Sequence, residues 1–577
     1  MRSKNPPTLS PRPAGLVALI FGIVCLVGSG LARAGRLEGM FPWQIVKLRW
    51  LLAASAVWLI VVGLVALRSA QLERGARPGW QRRSSRSVAG LQWASTVLVG
   101  LIICQVGAYG WLSIARHARF NSTGYDLAIK EQVIWNTAHG RLFRSSFEVT
   151  NYFADHFQPV LAILAPLHLL FPTPVLLLVI QTITIAIGAM PLYRIGQRRL
   201  GNDTISLLVA AAYLLYPSIG FINRFDFHPE ALAIPAFLFA FDALERGDAR
   251  AASLWLLAPL LSKENMGLSV AAFGVYAAIR LRRARFGWSW AVVGVTVSLA
   301  TTLWLIPTLR LAPSDTLSRY AWLGDAPHDM LRTLLTDPMT VARRLAEPNR
   351  ALYIVQLLVP TGFLAVLGLP ELLMSAPGLI INLLADHYYQ PTIYCQYTTP
   401  IVPFVFIATA TGLGRLRHAL DALGNSVRLR AIAGGMLPLV LIAIAIDNPF
   451  TERNQLPDPL SRLPNESCVQ QALPQVPEGS SVVTTNAYAP HLARREELEV
   501  LGIPSSHEPS TSPDVVFINL YDQRYALCDD YYEYLMRLDI SHYGIIFRDC
   551  GVVIIQRNGG SNDALREFLS EWNNCAG

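Results

Sequence analysis

The chain has 577 residues, of which 52% are hydrophobic and only 15% charged, with a formal net charge of +8 and a mean hydropathy of +0.36. Soluble domains carry about 25% charged residues, so this composition excludes an ordinary soluble enzyme. The basic excess comes with no DNA- or RNA-binding motif and is explained by loops beside a membrane, which excludes nucleic acid as a partner.

Met1 to Pro13 is basic and proline-rich, and the apolar run after it ends Leu31-Ala32-Arg33-Ala34 in the manner of a signal peptide. With many spans following, it reads as an uncleaved first helix. Apolar blocks at 14–32, 50–67, 89–115, 174–192, 288–307 and 429–446 each approach or exceed the roughly 20 residues needed to cross the hydrocarbon core. Arginine clusters fix the inner side: Arg68, Arg74, Arg77, Arg82, Arg83 and Arg86; Arg194, Arg198 and Arg199; Arg280, Arg282, Arg283 and Arg285; Arg415, Arg417, Arg428 and Arg430. Segment 89–115 then runs outward, and the connection from Arg116 to His156 lies outside. Phe157–Phe171 is short and carries Pro159, Pro166 and His168, so it reads as a half-buried or re-entrant helix. Segments 251–263 and 265–281 read as two short helices meeting in an outer hairpin at Ser262-Lys263-Glu264-Asn265. The loop 35–48 runs against the charge rule, with Arg33, Arg36, Lys47 and Arg49 beside an outer connection, and the six arginines of the next loop outweigh it. Alternation gives about thirteen spans, with the N-terminus cytoplasmic and the C-terminus outside the inner (plasma) membrane.

From Pro449 onward there are 9 Arg, no Lys and 18 Asp plus Glu, a net of −9 that leaves the membrane part at +17. Cys468, Cys528, Cys550 and Cys575 all fall in this acidic region. Four cysteines in a small polar domain point to two disulfides in an oxidising compartment, with all three pairings open. Cys25, Cys104 and Cys395 lie in or beside apolar segments and read as packed. Strands are expected at Ser481–Thr485, Val515–Leu520, Gly544–Phe547 and Val552–Gln556. Helices are expected at Cys528–Leu538 and Asn562–Trp572, the second capped by Asn562 or Asp563. The expected fold is mostly α, a polytopic membrane protein with a small C-terminal α/β extracytoplasmic domain. It divides into N-terminal transmembrane helices (1–115), a first extracytoplasmic loop with interfacial helices (116–173), a transmembrane core (174–447) and a soluble domain (448–577).

Ionisable residues near membrane spans mark function by default, and this topology gathers them on the outer side. The first outer loop supplies Asp126, Glu131, Asp155 and His156; the stretch 223–230 supplies Arg224, Asp226, His228 and Glu230. The hairpin adds Lys263 and Glu264, and 386–397 adds Asp386, His387 and Tyr397. Singly, each has a plainer reading. Asp126 suits the N-cap of a helix starting at Leu127, in which Trp135 would anchor the interface. Lys263-Glu264 suits a local charge pair, and Asp386-His387 a helix end. Asp226, His228 and Glu230 alternate, so in extended chain they share a face; a divalent cation would fit that spacing but is not favoured, because no HExxH-like signature accompanies it.

The stretch YDLAIKEQVIWNTAHGRLF…NYFADHFQPVLAILAPLHLLFP within Phe120–Phe171 resembles a bacterial family of multi-spanning membrane proteins of unknown function. FDFHPEALAIPAF (Phe225–Phe237), LLSKENMGL (Leu260–Leu268), RYAWLG (Arg319–Gly324) and ADHYYQ…QYTTPIVP (Ala385–Pro403) carry the same resemblance, over roughly residues 110–560. By shared architecture that family is similar to the GT-C glycosyltransferases, which take a sugar from a polyprenyl-phosphate carrier on the outer membrane face. The likeness implies that an acidic residue early in the first outer loop, here Asp126, is the catalytic carboxylate. Many relatives have an adjacent acidic pair; here the neighbour is Leu127 and the next acid is Glu131, so a metal-dependent variant is not implied. It further implies cationic help for the phosphate from Lys263, Arg224 or His228, and a C-terminal domain that covers the site.

The function expected is inverting transfer of a sugar from a polyprenyl-phosphate donor to a cell-envelope acceptor, with Asp126 as general base. A transporter or lipid flippase is the first alternative. It would place polar residues at mid-depth and show inverted repeats, and no internal repeat is evident. A non-catalytic envelope assembly protein, working through its acidic C-terminal domain, is the second.

Overall fold

The computed structural model describes Ala53 and residues 88–147, 150–310, 315–421, 426–452, 458–501 and 509–572. The expected segments 14–32 and, apart from Ala53, 50–67, the loop 35–48, the arginines from Arg68 to Arg86, Cys25 and Cys575 lie outside the described residues.

Five helices among the described residues are long and apolar enough to cross a membrane: Trp93–Ala118, Pro174–Leu200, Ala284–Arg310, Leu364–Leu384 and Leu429–Ile446. A sixth arises if Asp203–Leu214 and Pro217–Arg224, bent by 41° at a short break, form one span. Pro217 explains the break, since it has no amide hydrogen to donate back along the helix. Val160–Leu170, Ala249–Ser262 and Met266–Ile279 are apolar but shorter. The Lys263-Glu264-Asn265 turn joins the last two, as the residue pattern predicted.

Met266–Ile279 and Ala284–Ala300 pack backbone to backbone. Their glycines are reciprocal: a Cβ on Gly274 would lie 2.5 Å from the Gly287 carbonyl oxygen, and one on Gly294 would lie 2.3 Å from that of Gly267. Between helices in lipid, where apolar burial supplies no drive, such close approach gives dispersion contact in its place.

The C-terminal region forms a five-stranded sheet of order β2-β1-β3-β5-β4. The strands are β1 (Val482–Thr485), β2 (Leu498–Leu501), β3 (Val515–Asn519), β4 (Tyr543–Asp549) and β5 (Val552–Arg557). β1 pairs in parallel with β2 and β3, while β3/β5 and β4/β5 are antiparallel. β2 was not expected from the sequence; its two glutamates upstream and short Leu-Glu-Val-Leu run give little strand signal. The last helix is capped by Ser561, whose hydroxyl accepts from the Ala564 amide, in place of Asn562 or Asp563. Cys468 bonds Cys550, and Cys528 is also in a disulfide.

Alternation along the strands divides the core. Val482, Val515, Phe517, Val552 and Ile554 face one way and pack with Leu127, Val133, Leu161 and Leu177 of the first loop and the following span. Val483, Val516, Ile518, Val553 and Ile555 face the other way, onto Tyr531, Leu535, Leu565 and Phe568. A period of two puts successive side chains on opposite faces, so an all-apolar strand needs cover on both. The domain's own helices supply one cover and the first loop the other. The connections are polar as well: Gln132 donates to the Arg495 carbonyl, Arg144 pairs with Glu496 and Glu497, and Arg524 donates to Asn121 and the Phe120 carbonyl.

Candidate functional site

Asp126 stands in a single wide turn, Gly124–Ala128, of π-helical pattern that leads into the helix Ile129–Ala138. It therefore sits inside the first turn and is not its cap. Such π turns recur at functional sites because they re-aim one side chain. The turn is held from the C-terminal domain: the Gly124 amide donates to Asn486 Oδ1 at 2.6 Å. A Cβ on Gly124 would lie 2.9 Å from that oxygen and 3.1 Å from Ala489 Cβ, so glycine is what lets the domain reach the turn.

From the other side comes the stretch after Pro217–Arg224. Gln181, buried in the span Pro174–Leu200, donates to the Asp226 carbonyl and accepts from the His228 amide. His228 is thereby aimed at Asp126, with Nε2 3.1 Å from Oδ1 and Nδ1 2.9 Å from the Phe225 carbonyl oxygen. Burial alone would raise the Asp126 pKa. The hydrogen bond and charge of His228, together with Lys130 at 3.9 Å and the Thr123 hydroxyl, outweigh burial and hold the carboxyl below the usual range. The His228 ring is thus held between the Asp126 carboxylate on one nitrogen and the Phe225 carbonyl on the other.

Asp126 opens into a cavity of about 370 Å³. Deeper in it, Lys263 Nζ lies 2.9 Å from Glu230 Oε1, and Gln158 donates to the other oxygen of Glu230. Glu264 meets His156 Nδ1 at 3.1 Å and the Phe157 amide at 3.1 Å. Burial opposes the charge on Glu230, but Lys263 and His228 prevail and hold its pKa down; Glu264 is held down likewise by His156. Lys263 shows the counterpart, its pKa raised by Glu230 and Glu264 against burial. Leu299 and Leu303 of the span Ala284–Arg310, and Ile381 of Leu364–Leu384, form an apolar wall.

Of the residues singled out from the sequence, Asp126, Asp155, His156, His228, Glu230, Lys263, Glu264 and Tyr397 line this one cavity. Five others stand elsewhere. Glu131 is fully buried behind the turn against His168 Nε2 at 2.8 Å, because its helix turns that face into the joint core. Arg224 donates to the carbonyls of Pro449 and Thr451 and anchors the linker to the C-terminal domain. Asp226 pairs with Arg116 and accepts from the Thr123 amide at 2.9 Å. The Thr123 hydroxyl lies 2.8 Å from Asp226 Oδ2 and 3.0 Å from Asp126 Oδ2, so its one proton serves one acid at a time. Asp226, His228 and Glu230 thus take separate partners and do not converge as a ligand set. Among the described residues, the group of such side chains close enough to share an ion is Cys468, Asp549 and Cys550, and its two cysteines are the disulfide.

Asp386 and His387 line a second hollow with Arg344 and Arg350. The Asp386 carboxylate takes Arg344 at 2.6 Å, but its backbone amide donates to the Arg319 carbonyl at 2.7 Å. Arg319 is the cavity residue that reasoning from chemistry missed, although the RYAWLG stretch contains it. Its guanidinium donates to Gln390 Oε1 at 3.1 Å and lies 3.4 Å from the Tyr397 hydroxyl. Both partners are neutral, so among the described residues Arg319 is a cavity cation with no carboxylate beside it.

The chain belongs to the family described as "Predicted membrane protein (DUF2079)", whose model matches residues 116–554. No curated protein matches the chain significantly.

Proposed function

We propose that the protein is a membrane glycosyltransferase of the GT-C kind, taking a sugar from a polyprenyl-phosphate donor and passing it to a cell-envelope acceptor on the extracytoplasmic face. In this reading the chain crosses the membrane about thirteen times, with the cavity at its outer end. The observation that carries it is a single cavity joining a charged floor around Asp126, an uncompensated Arg319 and an apolar wall from two candidate spans. A lipid-linked phosphate has that same division, a polar reacting head on a hydrocarbon chain.

The acceptor hydroxyl attacks the anomeric carbon as the bond from that carbon to the phosphate oxygen breaks. The bonding pair leaves on the phosphate, and the hydroxyl proton passes to Asp126, inverting the centre. A carboxylate held at low pKa is a weak base at rest. It orients the hydroxyl and accepts its proton late, when the forming bond has made that proton strongly acidic. His228 and Thr123 fix the carboxylate, and Arg319 with Lys263 meets the charge that develops on the leaving phosphate.

A transporter would use ionisable groups at mid-depth of its spans; here the ionisable groups that line the cavity lie outside the candidate spans. The test is release of polyprenyl phosphate from polyprenyl-phosphate sugars by the full-length protein in liposomes. Asp126→Asn is expected to lower the rate by about 10²–10⁴-fold while the protein stays folded. Wild-type rates in that variant would remove the assignment.

A further inference from the structure

The end of the bundle away from the cavity is rich in arginine, and its arginines fall into two groups. Arg194, Arg198 and Arg199 reach Asp242 and Glu245, and Arg415 reaches Glu371. Arg280, Arg282, Arg283 and Arg285, in the hairpin between the glycine-packed helices, and Arg250 on the neighbouring helix are all exposed. None of these five has an acidic partner among the described residues.

Arg250 also heads a groove of about 620 Å³ formed with Ser253, Leu254, Leu257 and Trp290. Its floor is apolar and open to the surroundings: Leu254 is 70% exposed and Leu257 44%. The Trp290 indole donates to Ser253 Oγ at 3.1 Å, which fixes the ring across the groove. Arg283 precedes the opposite wall, the helix Ala284–Ala300, and its Nη2 would lie 3.5 Å from a Cβ on Gly247, in the turn just before Arg250. Both walls therefore begin at an unpaired guanidinium and continue as apolar surface, one of them on a membrane-length helix.

We propose that this groove binds an anionic phospholipid, its phosphate on Arg250 and Arg283 and an acyl chain along Leu254, Leu257 and Trp290. Basic hollows between membrane helices suit acidic headgroups, whereas a free anion would gain nothing from the apolar floor. The site is independent of the glycosyl-transfer reading.

The test is native mass spectrometry of the delipidated full-length protein, titrated with phosphatidylglycerol or with phosphatidylcholine of the same acyl chains. Phosphatidylglycerol should be retained in preference. Arg250→Gln with Arg283→Gln should lower its retention about thirty-fold, while Arg280→Gln with Arg285→Gln, the same charge loss outside the groove, should change it less than about three-fold. Leu257→Asp should release the lipid with every arginine in place. Equal retention of the two lipids, equal loss in the two double variants, or displacement by equimolar inorganic phosphate would each overturn the proposal.

Discussion

Both ends of the helical bundle hold buried ion pairs, but they arrange them differently. At the arginine-rich end, Asp242 and Glu245 share one helix and collect Arg194, Arg198, Arg199 and Arg246 from their surroundings. At the cavity end, His228 reaches Asp126 across 102 residues of sequence and His156 reaches Glu264 across 108. There the pairs surround space, and Arg319 is left over. Pairing by itself therefore does not mark a site, since ion pairs serve structure as readily as chemistry. Enclosure separates the two ends: at the cavity end the pairs and Arg319 line one hollow, whereas the unpaired arginines of the other end are exposed.

The largest effect expected is the loss of transfer in Asp126→Asn. Next comes Lys263→Met, which leaves Glu230 buried without its cation. Breaking such a pair costs about 3–5 kcal/mol, read as a drop in thermal midpoint, and a variant as stable as wild type would show that Glu230 is solvated or protonated. Third is acid sensitivity where the C-terminal domain docks. His491 stacks on His117 at a centroid distance of 4.1 Å, and burial pushes its pKa from 6.5 down to about 4. The unfolded chain then binds more protons between these values, so stability is full above pH 6.5 and falls as pH drops toward 4. By pH 5 the loss is about 2 kcal/mol. His491→Phe should flatten that dependence in hydrogen exchange of residues 120–125, and an unchanged slope would place the titrating group elsewhere. The smallest effect belongs to the arginine end: Arg198→Gln should cost less than about 1 kcal/mol, because Arg194 and Arg246 still hold Asp242. A larger loss would erase the contrast between the ends.

Much of the cavity was legible in the residues. Lys263-Glu264 in a turn between two short apolar helices, and Asp126 soon after a span, are local patterns, and local patterns survive folding. Asp226 and Arg224 looked equivalent to His228 because a sequence shows spacing but not direction. The left-handed backbone at Asp226, with φ of 42°, turns successive side chains apart, one to Arg116 and one to Asp126. Glu131 was misplaced for a similar reason: a helix that is buried nearly all round has no polar face to expose it. Arg319 carried no local signal beyond its motif, since an arginine near a span end is ordinary until its neighbours prove neutral.

Composition and apolar runs were enough to make this a membrane protein, because the length of an apolar helix is set by the bilayer and is written in consecutive residues. The strands of the C-terminal domain were likewise written in their Val and Ile content, except β2. Only the tertiary structure decided that this domain shares its core with the first loop. It alone decided that Asn486 fixes the Asp126 turn and that Arg319 has no carboxylate beside it among the described residues. Each of these depends on contacts between segments hundreds of residues apart or on the direction of a side chain, and neither quantity is carried by the order of residues alone.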